Sequence, residues 1–194
     1  MKKNKILLLT QYYAPDEMGT GKIMGEIFGS LADEYQINVI SGKRTYKTNL
    51  LLKSEEIING VRVRRLFSGY KNKDLWSGRL YNYIGFFFSV LKYLLFRKPH
   101  KKCDYIITTS NPPMLPLLAI LFGHNKRKIY IIHDLYPDIA VKLGVIGENN
   151  ILAKIMQFIN KVVFTRIDDI IVLSKEMKKY VEFNYNISVD KVKV

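Results

Sequence analysis

Residues 128–138 read KIYIIHDLYPD, an apolar run that passes directly into a polar turn. The run at 128–132 predicts a short buried strand, and in open α/β sheets ligands bind beyond the carboxyl ends of the strands. The turn would therefore bring the imidazole of His133, the carboxylate of Asp134 and the phenol of Tyr136 to the usual position of an active site. The alternative is a structural turn in which Asp134 caps a helix and Tyr136 packs.

Buried strands and amphipathic helices alternate along the rest of the chain. Short apolar runs predict parallel strands at residues 6–9, 37–40, 105–107, 129–132 and 170–173. Helical patterns lie between these runs, and strands that alternate with helices are typical of a doubly wound sheet. We therefore expect an α/β fold, Rossmann-like and doubly wound, with a mostly parallel sheet.

The helices are predicted from the spacing of their apolar residues. In the first helix, a repeat of four residues predicts a buried face formed by Ile23, Ile27, Leu31 and Tyr35. Further helices are expected at about 113–122, 151–166 and 175–183. Ser174 is placed to cap the last of them. Residues 61–64 alternate between valine and arginine, as in a half-exposed strand.

Composition limits the class of protein. The chain has 194 residues with 48% hydrophobic content, which is enough for one sizeable globular domain. Its single cysteine, Cys103, excludes a disulfide framework and any multi-cysteine metal site, and a reducing cytoplasm is the expected compartment. No metal-ligand motif is present, so no metal is expected. The apolar run at 6–9 is too short for the core of a signal peptide.

The chain is strongly basic. Lys and Arg number 31 against 17 Asp and Glu, which gives a formal net charge of +14. Such an excess implies an anionic partner: nucleic acid, an anionic membrane surface or a phosphorylated substrate. The basic residues cluster at 62–65, 97–102 and 126–128, without the sequence signature of a known nucleic-acid-binding module.

The segment from Trp76 to Lys102 combines apolar and basic character. Residues 81–96 are almost all apolar or aromatic, yet the run is shorter than the ~20 residues that span a bilayer. A narrow polar stripe is expected at Asn82, Gly85, Ser89 and Lys92. A core helix remains an alternative, but we favour a helix in the membrane interface. Its membrane contacts would be Trp76, Phe87, Phe88, Arg97, Lys98, Lys101 and Lys102.

The loop after the first strand contains glycines but matches no nucleotide motif. Its spacing departs from the dinucleotide fingerprint, and Ile23 follows Gly21-Lys22 where a P-loop requires Ser or Thr. What remains is a glycine-containing turn opening a helix, whose backbone N–H groups can meet a phosphate or a sugar oxygen. The glycines can equally serve the turn alone. Tyr12 and Tyr13 suit stacking against a sugar or ordinary packing.

Five motifs in this order resemble the N-terminal, acceptor-side half of a GT-B glycosyltransferase of family 4. The particular likeness is to the bacterial branch of fucosaminyltransferase-like and capsule or colanic-acid glycosyltransferases. It covers essentially the whole chain. The motifs are QYYAPD at 11–16 with GTG at 19–21, TTSNPP at 108–113, DLYPD at 134–138 with LG at 143–144, DDIIVLS at 168–174, and DKVKV at 190–194.

The resemblance implies roles for particular residues. Asp134 and His133 would be the catalytic residues, although the closest branch often carries another polar residue at the position of His133. The resemblance further implies that substrate is bound by Gly19, Thr20, Gly21, Tyr13, Asn111, Tyr136 and Asp138. Asp134 or His133 would orient the acceptor hydroxyl or stabilise developing positive charge.

The resemblance also implies a function and its partners. The reaction would be retaining transfer of a sugar from a nucleotide sugar to a lipid-linked saccharide, in bacterial capsule or O-antigen synthesis. No cofactor is expected beyond the donor substrate, and no nucleic acid is expected as a partner. The protein would lie on the anionic inner face of the cell membrane, as a peripheral cytoplasmic protein.

The expected domain boundaries follow from the same likeness. Residues 1–189 would form the acceptor-binding domain and residues 190–194 the start of the interdomain linker. The donor-binding domain would be absent, so we expect the fragment alone to be inactive without that domain or a partner chain. Two alternatives remain open: a non-catalytic, membrane- and partner-binding subunit of a split transferase, and a basic nucleic-acid-binding α/β domain.

Overall fold

The protein is described by a computed structural model covering residues 3–16, 19–71, 75–142, 144, 147 and 149–194, without the side chains of Trp76, Ala140 and Leu152. The chain divides into two compact units, residues 1–107 and 108–194.

The first unit is built on parallel strands. Its strand order is β3-β4-β2-β1-β5, with β1 at Lys5–Leu9, β2 at Gln36–Gly42, β3 at Glu55–Ile58, β4 at Val61–Leu66 and β5 at Tyr105–Thr109. The last two residues of β5 belong to the second unit. β1 pairs with β2, and β2 with β4, in parallel, whereas β3 and β4 form an antiparallel hairpin. Asn59 and Gly60 turn this hairpin with positive φ angles.

Two helices complete the first unit, α1 at Gly19–Ser30 and α2 at Trp76–Arg97. A short 3₁₀ turn, Pro99–Lys102, follows α2. The predicted buried face of α1 is wrong, because Ile23 and Ile27 are 41% and 44% exposed and residues 31–35 lie beyond the helix end. The face that packs inward is formed by Gly21, Met24, Gly25 and Phe28.

The loop before α1 approaches the helix closely, and this explains why a face other than the predicted one packs inward. A Cβ added to Gly21 would lie 2.6 Å from Asp16 Cβ, and one added to Gly25 would lie 2.7 Å from Ala14 Cβ. Small residues therefore face the loop, and the larger Ile23 and Ile27 turn outward. A repeat of large side chains could not reveal a face whose packing depends on glycine.

The predicted polar stripe of α2 is not a solvent-facing stripe along its whole length, because its two ends differ in exposure. Asn82 is buried, at the head of an inward stripe that continues every four residues through Phe86, Val90 and Leu94. Lys92, at the other end of the polar stripe, is exposed. Asn82 can be buried because its amide accepts from the Lys71 N–H at 3.2 Å and donates to the Lys71 carbonyl at 2.9 Å.

The second unit contains three parallel strands in the order β6-β7-β8, at Arg127–Ile132, Asp169–Val172 and Val192–Lys193. Its helices are α3 at Leu115–Phe122, α4 at Asp138–Lys142, α5 at Ile151–Arg166 and α6 at Lys175–Tyr185. The bounds of α5 match the prediction. The predicted cap of α6 is confirmed, because the Ser174 hydroxyl accepts from the Met177 N–H at 3.1 Å.

The predicted fold class is confirmed. Along the described chain, strands alternate with helices except at β2, β3 and β4, which follow one another. β1 with β2, β2 with β4, β6 with β7 and β7 with β8 are parallel pairs, and β3 with β4 is antiparallel. Apolar residues of β1, β2 and β4 form the core of the first unit, and those of β6 and β7 contribute to that of the second. In each unit, polar residues follow directly at the carboxyl ends of the buried strands.

Candidate functional site

In the first unit, the carboxyl ends of β1 and β2 hold a group of buried polar atoms. The Gln11 Oε1, the Tyr13 hydroxyl and the Ser41 Oγ are each buried without a hydrogen-bond partner among the described residues. Buried polar atoms in folded proteins are normally paired, so an unpaired group calls for an explanation such as a bound ligand or water. Burial raises the pKa of the Tyr13 phenol to about 12, against the opposing effect of the Arg65 charge.

The backbone around these atoms is tightly fixed. Gly42, the last residue of β2, donates its N–H to the Gln11 carbonyl at 2.9 Å. A Cβ at Gly42 would lie 2.7 Å from both the Gln11 carbonyl oxygen and Ser68 Cβ. The loops after β1, β2 and β4 therefore meet at a point that only glycine allows, and they hold the polar group in place.

A buried arginine supports the loop that carries Tyr13. The guanidinium of Arg65 donates to the Ala14 carbonyl at 2.6 Å and to the Lys53 carbonyl at 3.1 Å, and it pairs with the Glu56 carboxylate. A charge removed from water in this way is tolerated because it is paired and hydrogen-bonded. Arg65 thus connects β4 to the loop after β1.

The predicted glycine turn lies at the start of α1. Gly19 has a φ of +57° and open space around its Cα, whereas Gly21 is buried against Asp16. The Asp16 carboxylate accepts from the Tyr46 N–H at 2.6 Å. Gly21 therefore has a packing role, while Gly19 and the half-buried Thr20 face a less crowded region.

In the second unit, Ser110 organises the turn after β6. Its N–H donates to the Ile131 carbonyl at 3.0 Å, and its hydroxyl accepts from the N–H groups of His133 and Asp134 at 3.0 and 3.2 Å. One hydroxyl thus sets the backbone of both predicted catalytic residues. The Asp134 side chain is exposed, four residues before α4, so it does not cap that helix.

The same strand ends carry a second group of unpaired polar atoms. The Thr108 Oγ1, the Asn111 Oδ1 and the His133 Nε2 are buried, and no residue in the described part of the chain hydrogen-bonds to them. Burial lowers the pKa of His133, and the nearby Asp134 charge opposes this effect. The imidazole is therefore neutral at pH 7.

Tyr136 and Asp138 are engaged within the unit. Asn160 donates to the Tyr136 carbonyl at 2.6 Å. The Asp138 carboxylate accepts from the hydroxyls of Tyr180 and Tyr185 at 2.9 and 2.8 Å, so it ties the start of α4 to α6. Burial and the bond to Asp138 raise the pKa of Tyr180 to about 12. Both phenols are therefore protonated donors at neutral pH.

The structure divides the predicted site residues between the two units. Gly19, Thr20, Gly21 and Tyr13 lie in the first unit, and Asn111, His133, Asp134, Tyr136 and Asp138 in the second. Sequence reasoning missed three of the unpaired side chains, Gln11, Ser41 and Thr108. Gln11 follows a strand directly and so carried a weak positional indication. Thr108 opens the motif at 108–113 but was assigned no role, and Ser41 lies within β2, where nothing in the sequence distinguishes it.

The predicted membrane residues lie on α2 and the turn after it. Phe88 is 59% exposed, Phe87 is half-buried, and the basic side chains of Arg97, Lys98, Lys101 and Lys102 are exposed. The side chain of Trp76 and the residue Leu143 of the family motif lie outside the described residues. Among the helices of the described chain, none is long and apolar enough to cross a bilayer.

Among the described residues, no group of three or more His, Cys, Asp or Glu side chains is placed to hold a metal ion.

Comparison with solved structures identifies the class of fold. Sucrose-phosphate synthase from Thermosynechococcus elongatus matches with a TM-score of 0.60 and 14% sequence identity, over 93% of this chain and 45% of that one. Another structure of that synthase gives a TM-score of 0.57 at 12% identity, over 94% of this chain and 83% of that one. These matches show a shared Rossmann-like fold.

Sequence comparison adds a particular relative. The chain is 20% identical over 187 residues to the probable glycosyltransferase WbjE of Pseudomonas aeruginosa, which is 94% of this chain and 44% of that protein. The chain therefore spans less than half the length of that relative. No family model matches the chain. Weak homology and shared fold together support a glycosyltransferase half-domain; the assignment to family 4 and to the fucosaminyltransferase-like branch stays a prediction.

Proposed function

We propose that this chain is the acceptor-binding half of a retaining glycosyltransferase of family 4. The whole enzyme would transfer a sugar from a nucleotide sugar to a lipid-linked saccharide, in the synthesis of bacterial capsule or O-antigen. The observation that carries the proposal is the presence of unpaired buried polar atoms at the strand ends of each unit. Its support from outside the chain is the weak similarity to WbjE over 94% of the sequence.

The proposed chemistry rests on Asp134 and His133. Asp134 exposes a carboxylate that can accept a hydrogen bond from an acceptor hydroxyl or stabilise developing positive charge. His133 is neutral at pH 7 and its Nε2 has no partner, so it can bind a hydroxyl without adding charge. Ser110 acts as a positioning residue, since it holds both backbone N–H groups.

The remaining site residues take binding or supporting roles in this proposal. Tyr13 and Asn111 each offer a buried oxygen to a sugar hydroxyl. Gly19 and Thr20 would approach a phosphate or the transferred sugar at the start of α1. Asp138 would act indirectly, because both of its carboxylate oxygens are engaged by tyrosines.

We also propose that α2 holds the protein on the anionic inner face of the cell membrane. Ile84, Phe88 and Leu95 are exposed on the side of α2 opposite its buried stripe. The helix contains no acidic residue, and the basic cluster at 97–102 follows it directly. Apolar residues flanked by cations suit the boundary between headgroups and acyl chains. The donor-binding domain or a partner chain would supply the nucleotide sugar.

A binding measurement tests the acceptor role. The probe is undecaprenyl-pyrophosphate-linked N-acetylglucosamine in detergent micelles, measured by microscale thermophoresis against UDP-N-acetylglucosamine. We expect the lipid-linked saccharide to bind more tightly than the nucleotide sugar. Asp134→Asn should weaken saccharide binding by about tenfold, the effect of one hydrogen bond to a charged group.

Asp190→Asn is the matched control, because Asp190 is an exposed carboxylate of the same unit. It should bind the saccharide as the unmodified protein does. The acceptor role is wrong if UDP-N-acetylglucosamine binds more tightly than the saccharide and Asp134→Asn leaves both affinities unchanged.

A further inference from the structure

Helix α5 has an apolar face that no described residue of its unit covers. Ala153, Asn160 and Phe164 are buried on its inner side. On the other side, Ile151, Ile155 and Phe158 are 77%, 50% and 68% exposed. Spacings of four and three residues put these three side chains on one ridge of the helix. Monomeric proteins rarely expose contiguous apolar surface without a use for it.

The charges beside this ridge all have the same sign. Lys154 and Lys161, seven residues apart, follow one flank of the ridge, and Arg166 ends the helix. Residues 151–166 contain no Asp or Glu. Among the described residues, no carboxylate pairs with Lys154 or Lys161. α3, which packs against α5, is uncharged and exposes Leu121.

We infer that the outer face of α5 binds an anionic lipid surface. The ridge of Ile151, Ile155 and Phe158 would enter the boundary between headgroups and acyl chains. Lys154 and Lys161 would lay their methylene stems along it and reach anionic headgroups with their ammonium groups.

A protein partner fits this face less well, since the cores of protein interfaces are depleted in lysine and a lysine line would need matching carboxylates. The face is distinct from that of α2, which lies in the other unit. The inference rests on the proposed membrane location but is independent of acceptor binding.

Vesicle flotation tests the inference with the complete chain. The probes are vesicles of phosphatidylglycerol and phosphatidylethanolamine in equal parts, and vesicles of phosphatidylcholine alone; neither contains a saccharide lipid. We expect the unmodified protein to bind the anionic vesicles preferentially. The double variant Ile155→Glu/Phe158→Glu should lower the partition coefficient at least about tenfold, because two apolar contacts are lost and two repulsive charges are added.

Two controls distinguish a loss of vesicle binding that is specific to α5 from a loss caused by added charge or by misfolding. Phe183→Glu on α6 makes the same kind of change at an 87% exposed aromatic of the same unit, so it should bind more tightly than the double variant. Circular dichroism should give the same spectrum for all variants, since Ile155 and Phe158 contribute little to the core. The inference is overturned if the double variant binds anionic vesicles as the unmodified protein does, and the face would then be left to a protein partner. It is also overturned if Phe183→Glu lowers the partition coefficient as much as the double variant does.

A label reports directly on the position of α5. A nitrobenzoxadiazole fluorophore on Phe158→Cys should shift to shorter wavelength with anionic vesicles, and the buried native Cys103 should not compete for it. A label that stays in water overturns the inference. Phe88→Glu, tested in parallel by flotation, measures how much α2 contributes to vesicle binding. If the unmodified protein binds no vesicle, both membrane surfaces are wrong, while the micelle measurement still decides the acceptor role.

Discussion

Ser110 shows how one side chain can set the geometry of a candidate site. Its hydroxyl accepts two backbone N–H groups from residues more than twenty positions away in sequence. These bonds hold His133 and Asp134 at the end of β6, so the orientation of both side chains depends on a residue that touches no substrate in the proposed reaction.

Ser110→Ala should therefore destabilise the protein and disturb the site. Two N–H groups would lose their acceptor, and we expect a loss of about 1–3 kcal/mol in the free energy of unfolding. Chemical denaturation measures the loss. Thr165→Ala, which removes an exposed hydroxyl on α5, is the control and should cost much less. An unchanged unfolding free energy in Ser110→Ala would contradict the role assigned to its hydroxyl.

The pKa of His133 predicts a dependence of stability on pH. Because burial lowers this pKa below its ordinary value, the unfolded chain binds more protons than the folded protein between the two values. The folded state therefore loses stability as the pH falls through the ordinary histidine pKa, and regains it as the pH rises.

His133→Gln should flatten that dependence, which denaturation at a series of pH values measures. The exposed His124 provides the control variant His124→Gln. If the two variants have the same pH dependence, the burial of His133 is not what shapes the curve.

At the residue level, the sequence identified several polar side chains at the strand ends but not their partners. His133 was predicted because it follows a buried strand, whereas Tyr13 and Asn111 were implied by the family resemblance. Each of the three has a buried atom without a hydrogen-bond partner among the described residues. The engagement of Asp138 could not be predicted, because its partners Tyr180 and Tyr185 are 42 and 47 residues away. Spacing along the chain carries no information about such contacts.

At the level of single elements, Asn82 joins α2 to the loop before it. Its amide is bonded to both the N–H and the carbonyl of Lys71. Gly69, with a φ of +77°, fits beneath it, since a Cβ there would lie 2.1 Å from Asn82 Oδ1. This contact holds Tyr70, whose ring packs edge-on against Tyr81 at 5.6 Å.

Asn82→Ala should loosen this junction. The N–H and the carbonyl of Lys71 would each lose a partner at a partly buried junction. At about 0.5–1.5 kcal/mol for each hydrogen bond, we expect a loss of about 1–3 kcal/mol in the free energy of unfolding. Ser89→Ala on the same helix removes only the hydrogen bond from the Ser89 hydroxyl to the Gly85 carbonyl, one turn earlier, and should change the free energy of unfolding little. Denaturation of both variants gives the comparison; equal stability would show that the Asn82 amide adds nothing.

The glycines of α1 predict a graded response to alanine. Gly25→Ala would place a methyl group 2.7 Å from Ala14 Cβ, so we expect a loss of about 1–3 kcal/mol despite the better helix propensity of alanine. At Gly29 the nearest atom, Asn59 Cβ, is 3.3 Å away, and alanine should be tolerated. Thermal unfolding ranks the two variants, and a more stable Gly25→Ala would contradict the packing.

Secondary structure was easier to predict than the orientation of its elements. The bounds of α5 followed from its periodicity, and Ser174 was identified as a cap from its residue type and position. The buried face of α1 was missed because the prediction followed the repeat of large side chains, whereas the helix packs closely against the loop through its glycines. The same limit applies to Asn82, since a polar residue can be buried wherever a backbone partner satisfies it.

At the level of the whole molecule, charge and exposed apolar surface occur together. The net charge is +14, and neither α2 nor α5 contains an acidic residue. Exposed apolar side chains lie on both helices. A protein with these properties should bind anionic membranes by two means, of which only the electrostatic one is screened by salt.

Salt should therefore weaken vesicle binding without abolishing it. Raising the salt from about 0.05 to about 0.5 M shortens the screening length severalfold, so the electrostatic share of binding should fall steeply. The apolar share should remain, and flotation at each salt concentration measures it. Complete release at high salt would mean that charge alone holds the protein, and an unchanged affinity would mean that charge plays no part.

The fold class was predictable because alternating strands and helices leave few topologies for a chain of this length. The antiparallel β3 was not foreseen, since its sequence at 55–58 is short and mostly exposed. The division of the chain into two compact units was not foreseen either, because it depends on contacts between segments that are distant in sequence.

The glycine at the end of β2 has a consequence for amide hydrogen exchange. The Gly42 amide is bonded to the Gln11 carbonyl, and the Thr10 amide to the Ile40 carbonyl, at 2.9 and 3.1 Å. Neither amide can exchange with solvent deuterium unless the loops after β1 and β2 separate. The two protection factors should therefore rise together when a ligand occupies this edge, which makes this pair of amides a built-in reporter of occupancy.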